Sequence, residues 1–194
     1  KNDGLQNQSI LYRQKGLKGE PEVFLDPNKF SEDGTAALAG LNFSLNSKYA
    51  AYSVSQSGSD WRIGYVIDVS TNTRLKDTVN WLKFTGFNWK GDEGFYYTRY
   101  PEPQKGEQLK GKNVLPQVYY HQIGTPQSND VLVFQDKEHP QRFAGVGLTE
   151  DERFLVLSTS EGTSGAEIWY RDLKNSGEKE FKLLIPGFKT EPNV

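Results

Sequence analysis

Short runs of β-branched and aromatic residues, separated by polar turns, dominate the hydrophobic pattern of the chain. The clearest unit spans residues 49–69, where two runs rich in Val, Ile, Tyr and Ala flank the polar loop of residues 57–60. Runs of this length and composition suit a pleated, half-buried surface. The unit therefore predicts two paired antiparallel strands.

The same layout of strand, polar turn, strand, loop and strand recurs three times. Phe43, Phe87 and Val146 mark corresponding positions in the three repeats. Their spacings lie near or above the roughly 40 to 50 residues of a propeller blade. The longer second spacing is explained by residues 101–115, a polar segment without strand periodicity that we expect to be a mobile surface insert.

A four-stranded sheet repeated at this period predicts an all-β, open partial β-propeller of about three and a half blades. A sandwich of two stacked sheets is the structural alternative, because it also strings short strands together. The matched order of strands in the three repeats favours propeller blades over a sandwich. Separately, a short helix is predicted around residues 30–38. The predicted segments are 1–28 (end of a first blade), 36–78 (second blade), 84–135 (third blade), 143–186 (fourth blade) and 187–194 (start of the next).

Composition narrows the possible partners. The 23 basic and 25 acidic residues give a formal net charge of −2, and no basic stripe alternates with aromatic residues as in a nucleic-acid groove. No apolar run approaches the roughly 20 residues of a membrane span. Nucleic acid and membrane are therefore not expected partners. The start at Lys1, without Met or a targeting signal, suggests a piece of a longer protein.

The sequence offers no catalytic set. Cysteine is absent, which excludes disulfides, a thiol nucleophile and thiolate metal sites. Residues 162–166 (GTSGA) lack the second glycine of a nucleophile elbow. His121 and His139 are far apart in sequence without a spaced ligand partner, so a packed or solvated imidazole is expected for each. We therefore expect no catalytic residue, metal or cofactor in this chain.

Aromatic residues near strand ends are the remaining candidates. Trp61, Phe84, Trp89, Phe143 and Trp169 could all belong to the blade core, and this is the expected role of Trp89 and Trp169. Phe84 and Phe143 are predicted to precede the first strands of their blades, in loops where an aromatic ring has less to pack on. These two phenylalanines are the better candidates for a binding site.

Several separated motifs resemble one known family from end to end of the chain. They lie at residues 4–8 (GLQNQ), 23–28 (VFLDPN), 33–38 (DGTAAL), 57–61 (SGSDW), 119–121 (YYH) and 168–173 (IWYRDL). These residues look like the propeller of the prolyl oligopeptidase family, most closely its bacterial members. The resemblance implies a cytosolic or periplasmic serine peptidase that cuts short peptides after proline. In that family an α/β-hydrolase domain carries the catalytic residues, and a seven-bladed propeller filters substrates by size.

The resemblance also implies roles for individual residues. Phe84 and Phe143 match apolar residues that line the substrate cavity, and Thr163 matches a small cavity-facing residue that is cysteine in some members. Asp60 matches an acidic residue that pairs with an arginine of the hydrolase domain. From its sequence alone, Asp60 would be a turn cap in the Ser-Gly-Ser-Asp loop. The implied partners are the hydrolase domain of the same parent protein and short proline-containing peptides.

The insert of residues 101–115 matches a flexible family segment near the domain interface, so gating of substrate access by this insert is a hypothesis. Two alternatives to a prolyl peptidase stay open. Oligopeptidase B shares the architecture but selects basic residues, and the stretches of residues 57–61 and 83–87 (KFTGF) favour the prolyl enzyme. The other alternative is a non-enzymatic propeller that serves as a protein-binding platform.

Overall fold

Fourteen strands and two short 3₁₀ helices make up the structure, a computed structural model that describes residues 1–108, 113–175, 177 and 179–192. The helices are Pro27–Lys29 and Gln127–Asn129. The strands are β1 (Leu11–Arg13), β2 (Glu22–Leu25), β3 (Ala36–Phe43), β4 (Tyr49–Gln56), β5 (Arg62–Asp68), β6 (Thr73–Leu82), β7 (Asn88–Lys90), β8 (Gly94–Arg99), β9 (Gln117–Gln122), β10 (Val131–Gln135), β11 (Phe143–Leu148), β12 (Phe154–Ser160), β13 (Glu167–Asp172) and β14 (Lys182–Ile185).

Within each group of four strands β3–β6, β7–β10 and β11–β14, consecutive strands pair antiparallel, as in the blades of a propeller. We call β3–β6 the second blade, β7–β10 the third blade and β11–β14 the fourth blade, while β1 and β2 form a separate two-stranded sheet. In the strand pairing, the second and third blades share one residue pair, Leu82 of β6 with Arg99 of β8. The arc of blades does not close, which confirms the predicted all-β open propeller. The predicted blade boundaries themselves remain a prediction.

The helix predicted around residues 30–38 is wrong. The helical turn lies earlier, at Pro27–Lys29, where the Asp26 side chain accepts a hydrogen bond from the Asn28 backbone N–H. Proline fixes its own backbone angle and suits the first helical position. Ala36 already begins β3, and Leu38 pairs with Val54 of β4. Pairing with a neighbouring strand therefore overrides the helix propensity of the Ala-Ala-Leu stretch.

The main hydrophobic core lies between the second and third blades. It contains Val66 and Val79 from the second blade and Phe87, Phe95 and Tyr97 from the third. The blades approach closely at this core because Gly64 of β5 has no side chain. A Cβ atom there would lie 2.6 Å from Val79 Cγ2 and 2.8 Å from Phe87 Cζ. This core therefore packs the second blade against the third.

The alternation of strand directions gives the arc two distinct ends. We call the end that carries the loops at residues 57–61, 101–116 and 161–166, and the linkers between blades, the loop end. The opposite end, the turn end, carries the tight turns at residues 44–48 and 149–153. At the turn end, Gly91 N–H donates to Glu152 Oε1 of the fourth blade at 2.7 Å. Contacts between neighbouring turns therefore link the blades at this end.

Among the described residues, no helix is both long and apolar enough to cross a membrane.

Candidate functional site

The four candidate residues all lie at the loop end. Asp60 and Thr163 lie in exposed loops of the second and fourth blades. Phe84 and Phe143 are 57% and 42% exposed and are among several large apolar side chains that this structure leaves exposed. Their rings meet edge to face, with centroids 6.3 Å apart and planes at 81°. The structure thus brings the two phenylalanines together across the linkers of neighbouring blades.

Phe84 and Phe143 reach this surface in different ways. Phe143 is the first residue of β11 and pairs with Ser160. The prediction that Phe143 lies in a loop before this strand is therefore wrong. Phe84 does lie in a loop, with a backbone φ of 51°. A positive φ is rare for a bulky residue and is held only by its surroundings. Here Thr85 Oγ1 accepts a hydrogen bond from Thr98 N–H at 2.9 Å, which fixes the loop against β8.

Lys83 and Trp61 form a cluster beside Phe84 that the sequence analysis missed. Lys83 Nζ lies 4.1 Å from the centre of the Trp61 ring and donates to Asn113 Oδ1 at 2.8 Å. Burial lowers the pKa of the Lys83 ammonium, and the negative charge of Asp60 opposes this shift. Trp61 Nε1 donates to the Gln108 carbonyl oxygen at 2.6 Å. The pair therefore binds described residues of the insert, whose residues 109–112 lie outside the described part of the chain.

Arg142 holds the loop of Thr163 close to the linker that precedes Phe143. Its guanidinium donates to Glu161 Oε1 at 2.6 and 2.9 Å and lies 3.7 Å from Asp136 Oδ2. The guanidinium also lies over the Phe188 ring, 4.8 Å from its centre. These contacts position the loop end of the fourth blade next to the phenylalanine pair.

His121 is packed rather than exposed, one of the two alternatives expected from sequence. Its ring is fully buried, with Nδ1 2.7 Å from Asp130 Oδ1 and Nε2 3.1 Å from Asp77 Oδ1. Burial alone would lower the pKa of His121, but the hydrogen bonds and charges of Asp130 and Asp77 outweigh it and raise the pKa. Tyr97 donates from its hydroxyl to Asp130 Oδ2 at 2.6 Å. Because Asp77 belongs to β6 and His121 to β9, the network clamps the second blade to the third.

The described residues do not assemble a bond-breaking site. His121 bonds to carboxylates, and His139 faces Asp136; neither ring has a serine hydroxyl as a hydrogen-bond partner in the described residues. No group of three or more His, Cys, Asp or Glu side chains suited to a metal is found within residues 1–108, 113–175, 177 and 179–192. Fold and site together define an open propeller segment with an aromatic, charged loop end, and the described residues hold no assembled catalytic set.

Comparison with known proteins identifies the family. The family described as "Prolyl oligopeptidase, N-terminal beta-propeller domain" matches residues 1–194. The chain is 45% identical over 194 residues to a prolyl endopeptidase of Elizabethkingia meningoseptica, covering 100% of this chain and 27% of that protein. It is 36% identical over 219 residues to the dual function macrocyclase-peptidase POPB of Galerina marginata, covering 100% of this chain and 30% of that protein. The chain belongs to the prolyl oligopeptidase N-terminal propeller family.

Solved structures agree with this assignment. Prolyl oligopeptidase B of Galerina marginata, bound to a 35mer hydrolysis and macrocyclization substrate, superposes with a TM-score of 0.86 at 33% identity. The match covers 96% of this chain and 29% of that one. A structure from a study of two prolyl endopeptidases gives a TM-score of 0.84 over 97% of this chain. The chain thus spans less than a third of the length of these relatives.

Proposed function

We propose that this chain forms the propeller wall of the substrate cavity in a serine peptidase that cleaves short peptides after proline. The observation that carries this proposal is the pair of exposed phenylalanines, Phe84 and Phe143, whose rings meet at the loop end. Exposed aromatic rings that meet edge to face offer apolar contact area to a ligand. The proposed reaction, cleavage of a peptide after proline, is taken from the names of the relatives. The catalytic serine, histidine and aspartate would lie in a hydrolase domain of the same parent protein.

Asp60 and Thr163 complete the proposed wall. Asp60 is an exposed carboxylate in the loop beside the Lys83–Trp61 cluster. A carboxylate there is suited to orient an arginine of the hydrolase domain, because charge-assisted hydrogen bonds between a carboxylate and a guanidinium are both strong and directional. Thr163 would present a small side chain to the cavity from the fourth blade. Short proline-containing peptides would be enclosed between these residues and the hydrolase domain.

The proposal is tested with the full-length parent protein and a Gly-Pro reporter peptide. Cleavage after proline is expected, and the absence of cleavage would reject the peptidase assignment. In the same protein, Phe84→Ala should raise KM for a proline-containing hexapeptide about three- to tenfold, with a smaller change in kcat, because apolar ground-state contact is lost. The matched control is Phe43→Ala, which removes a 45% exposed phenylalanine near the turn end and should leave both constants within twofold.

A further inference from the structure

A second concave site lies at the loop end of the second blade, beside the proposed cavity wall. It is a cavity of about 420 Å³, and its walls include Val54, Ile63, Trp61, Trp81 and Arg62. Apolar walls with a few polar groups at the rim are typical of ligand sites of this size. The wall proposed above was assigned to Phe84, Phe143, Asp60 and Thr163, and none of these four residues lines the cavity.

Two tryptophans give this cavity a rigid aromatic corner. The rings of Trp61 and Trp81 stand at 89° to each other with centroids 5.6 Å apart. Trp61 is fixed by its hydrogen bond to Gln108 and by Lys83 over its ring. Trp81 has a φ of 63°, a backbone conformation that bulky residues rarely adopt. A preformed corner of this kind binds without the entropic cost of ordering its side chains.

Arg62 adds a free cation to the cavity. It is half-buried, yet its guanidinium has no hydrogen-bond or ion-pair partner within the described part of the chain. Arg142 at the same end is paired, because its guanidinium contacts Glu161 and Asp136. A guanidinium presents a planar set of donors that matches a carboxylate. The cavity therefore favours a ligand that carries a negative charge next to an apolar group.

The chemistry of the corner points to proline as the apolar group. Proline-rich segments adopt a preformed extended helix and dock into grooves lined by aromatic rings, at low entropic cost. The cavity is also continuous with the proposed wall, because Asp60 directly precedes Trp61, and Lys83, which lies over Trp61, directly precedes Phe84. A peptide lying along Phe84 could therefore extend toward the tryptophan corner.

We propose that the Trp61–Trp81 cavity is a remote subsite for a peptide, in which a proline packs in the tryptophan corner and an adjacent carboxylate binds Arg62. This inference rests on the proposed function, because the proposed peptidase is what brings a peptide to this surface. The carboxylate can come from a Glu or Asp side chain or from a peptide C-terminus, and both sources offer the same charged group. The subsite gives the full-length protein a preference for acidic, proline-containing segments away from the cleaved bond.

Binding to the full-length parent, treated with the serine-directed inhibitor diisopropyl fluorophosphate to prevent turnover, tests the proposal. The probes are acetyl-Pro-Pro-Pro-Glu-amide, acetyl-Pro-Pro-Pro with a free C-terminus, and the neutral acetyl-Pro-Pro-Pro-Gln-amide, each titrated calorimetrically. The key variant is Trp81→Gly, which removes the indole and suits the left-handed backbone. Ser47→Gly is its control, because Ser47 also has a positive φ, of 55°, but lies at the turn end.

The proposal predicts that at least one charged probe binds about tenfold more weakly to Trp81→Gly than to the parent or to Ser47→Gly. The probe that loses affinity identifies the source of the carboxylate. Arg62→Gln keeps the corner, so it should bind charged and neutral probes within twofold of each other. Equal binding of all probes to parent and Trp81→Gly would overturn the proposal, as would a charge preference that survives Arg62→Gln. The Gly-Pro reporter assay on untreated protein reports the proposed function independently of these results.

Discussion

At the scale of single residues, the loop end is built from the edge-to-face pair of Phe84 and Phe143 and from the contact of Lys83 with the Trp61 ring. Phe84 and Phe143 stand out in the sequence as aromatic residues near strand starts, and the structure exposes both, although Phe143 already belongs to β11. The contact between Lys83 and Trp61 could not be predicted, because it depends on how the linker that follows β6 folds back over the β4–β5 loop of the same blade. The unpaired guanidinium of Arg62 was equally invisible, since a sequence does not show which charges lack partners.

A strand glycine in the core provides a prediction at this scale. Gly64→Ala should destabilise the full-length parent by about 1–3 kcal/mol, because the added methyl group would overlap Val79 and Phe87. Gly145→Ala is the control, since Gly145 is also in a strand and a Cβ there meets no atom within 4 Å. Thermal unfolding should therefore show a lower midpoint for Gly64→Ala alone. Equal midpoints for the two variants would contradict the close packing of the second and third blades.

At the scale of elements, runs of alternating and β-branched residues predict most of the strands. The contacts between strands and loops are visible only in the structure. The sequence indicates the fourth strand of the second blade only weakly, around Arg74 and Leu75, whereas β6 extends from Thr73 to Leu82. Its polar positions obscured the pattern, and one of them, Asp77, is buried against His121. The helix predicted at residues 30–38 failed for a related reason, since strand pairing decided the conformation there. Long-range partners therefore account for both errors.

The clamp between β6 and β9 predicts a pH dependence. The pKa of His121 is raised above its ordinary value of 6.5, so its stabilising charge is fully present below about pH 6.5 and is lost as pH rises through the raised pKa. The free-energy cost of His121→Gln should therefore be largest near pH 6 and fall toward pH 10, by about 1.4 kcal/mol per unit of pKa elevation. The unfolding midpoints of parent and variant across this range measure it.

His139→Gln is the matched control for this experiment. His139 also faces a carboxylate, Asp136, but its side chain is 49% exposed, so water screens the interaction. Its replacement should change the unfolding midpoint little at any pH. A cost of His121→Gln that stays constant or grows as pH rises would contradict a charged imidazole between Asp77 and Asp130.

For the whole molecule, the repeat of strands along the chain was enough to predict an open propeller, because each blade is built from local antiparallel pairs. The repeat does not show which end of the arc faces a ligand. The structure places Phe84, Phe143, Asp60 and Thr163 at one end and the hydrogen-bonded turns at the other, which supports the proposal that the loop end faces the peptide. The account therefore depends on the loop end being the wall of the peptide cavity.

Photo-crosslinking of the full-length parent tests this claim most directly. A proline-containing hexapeptide that carries a benzophenone group would be irradiated on the inhibited protein, and the adducts mapped by mass spectrometry. The account predicts adducts at the loop end, in the segments that contain Trp61, Phe84, Phe143 and Thr163. Adducts concentrated in the turns at residues 44–48 and 149–153, with none at the loop end, would contradict it.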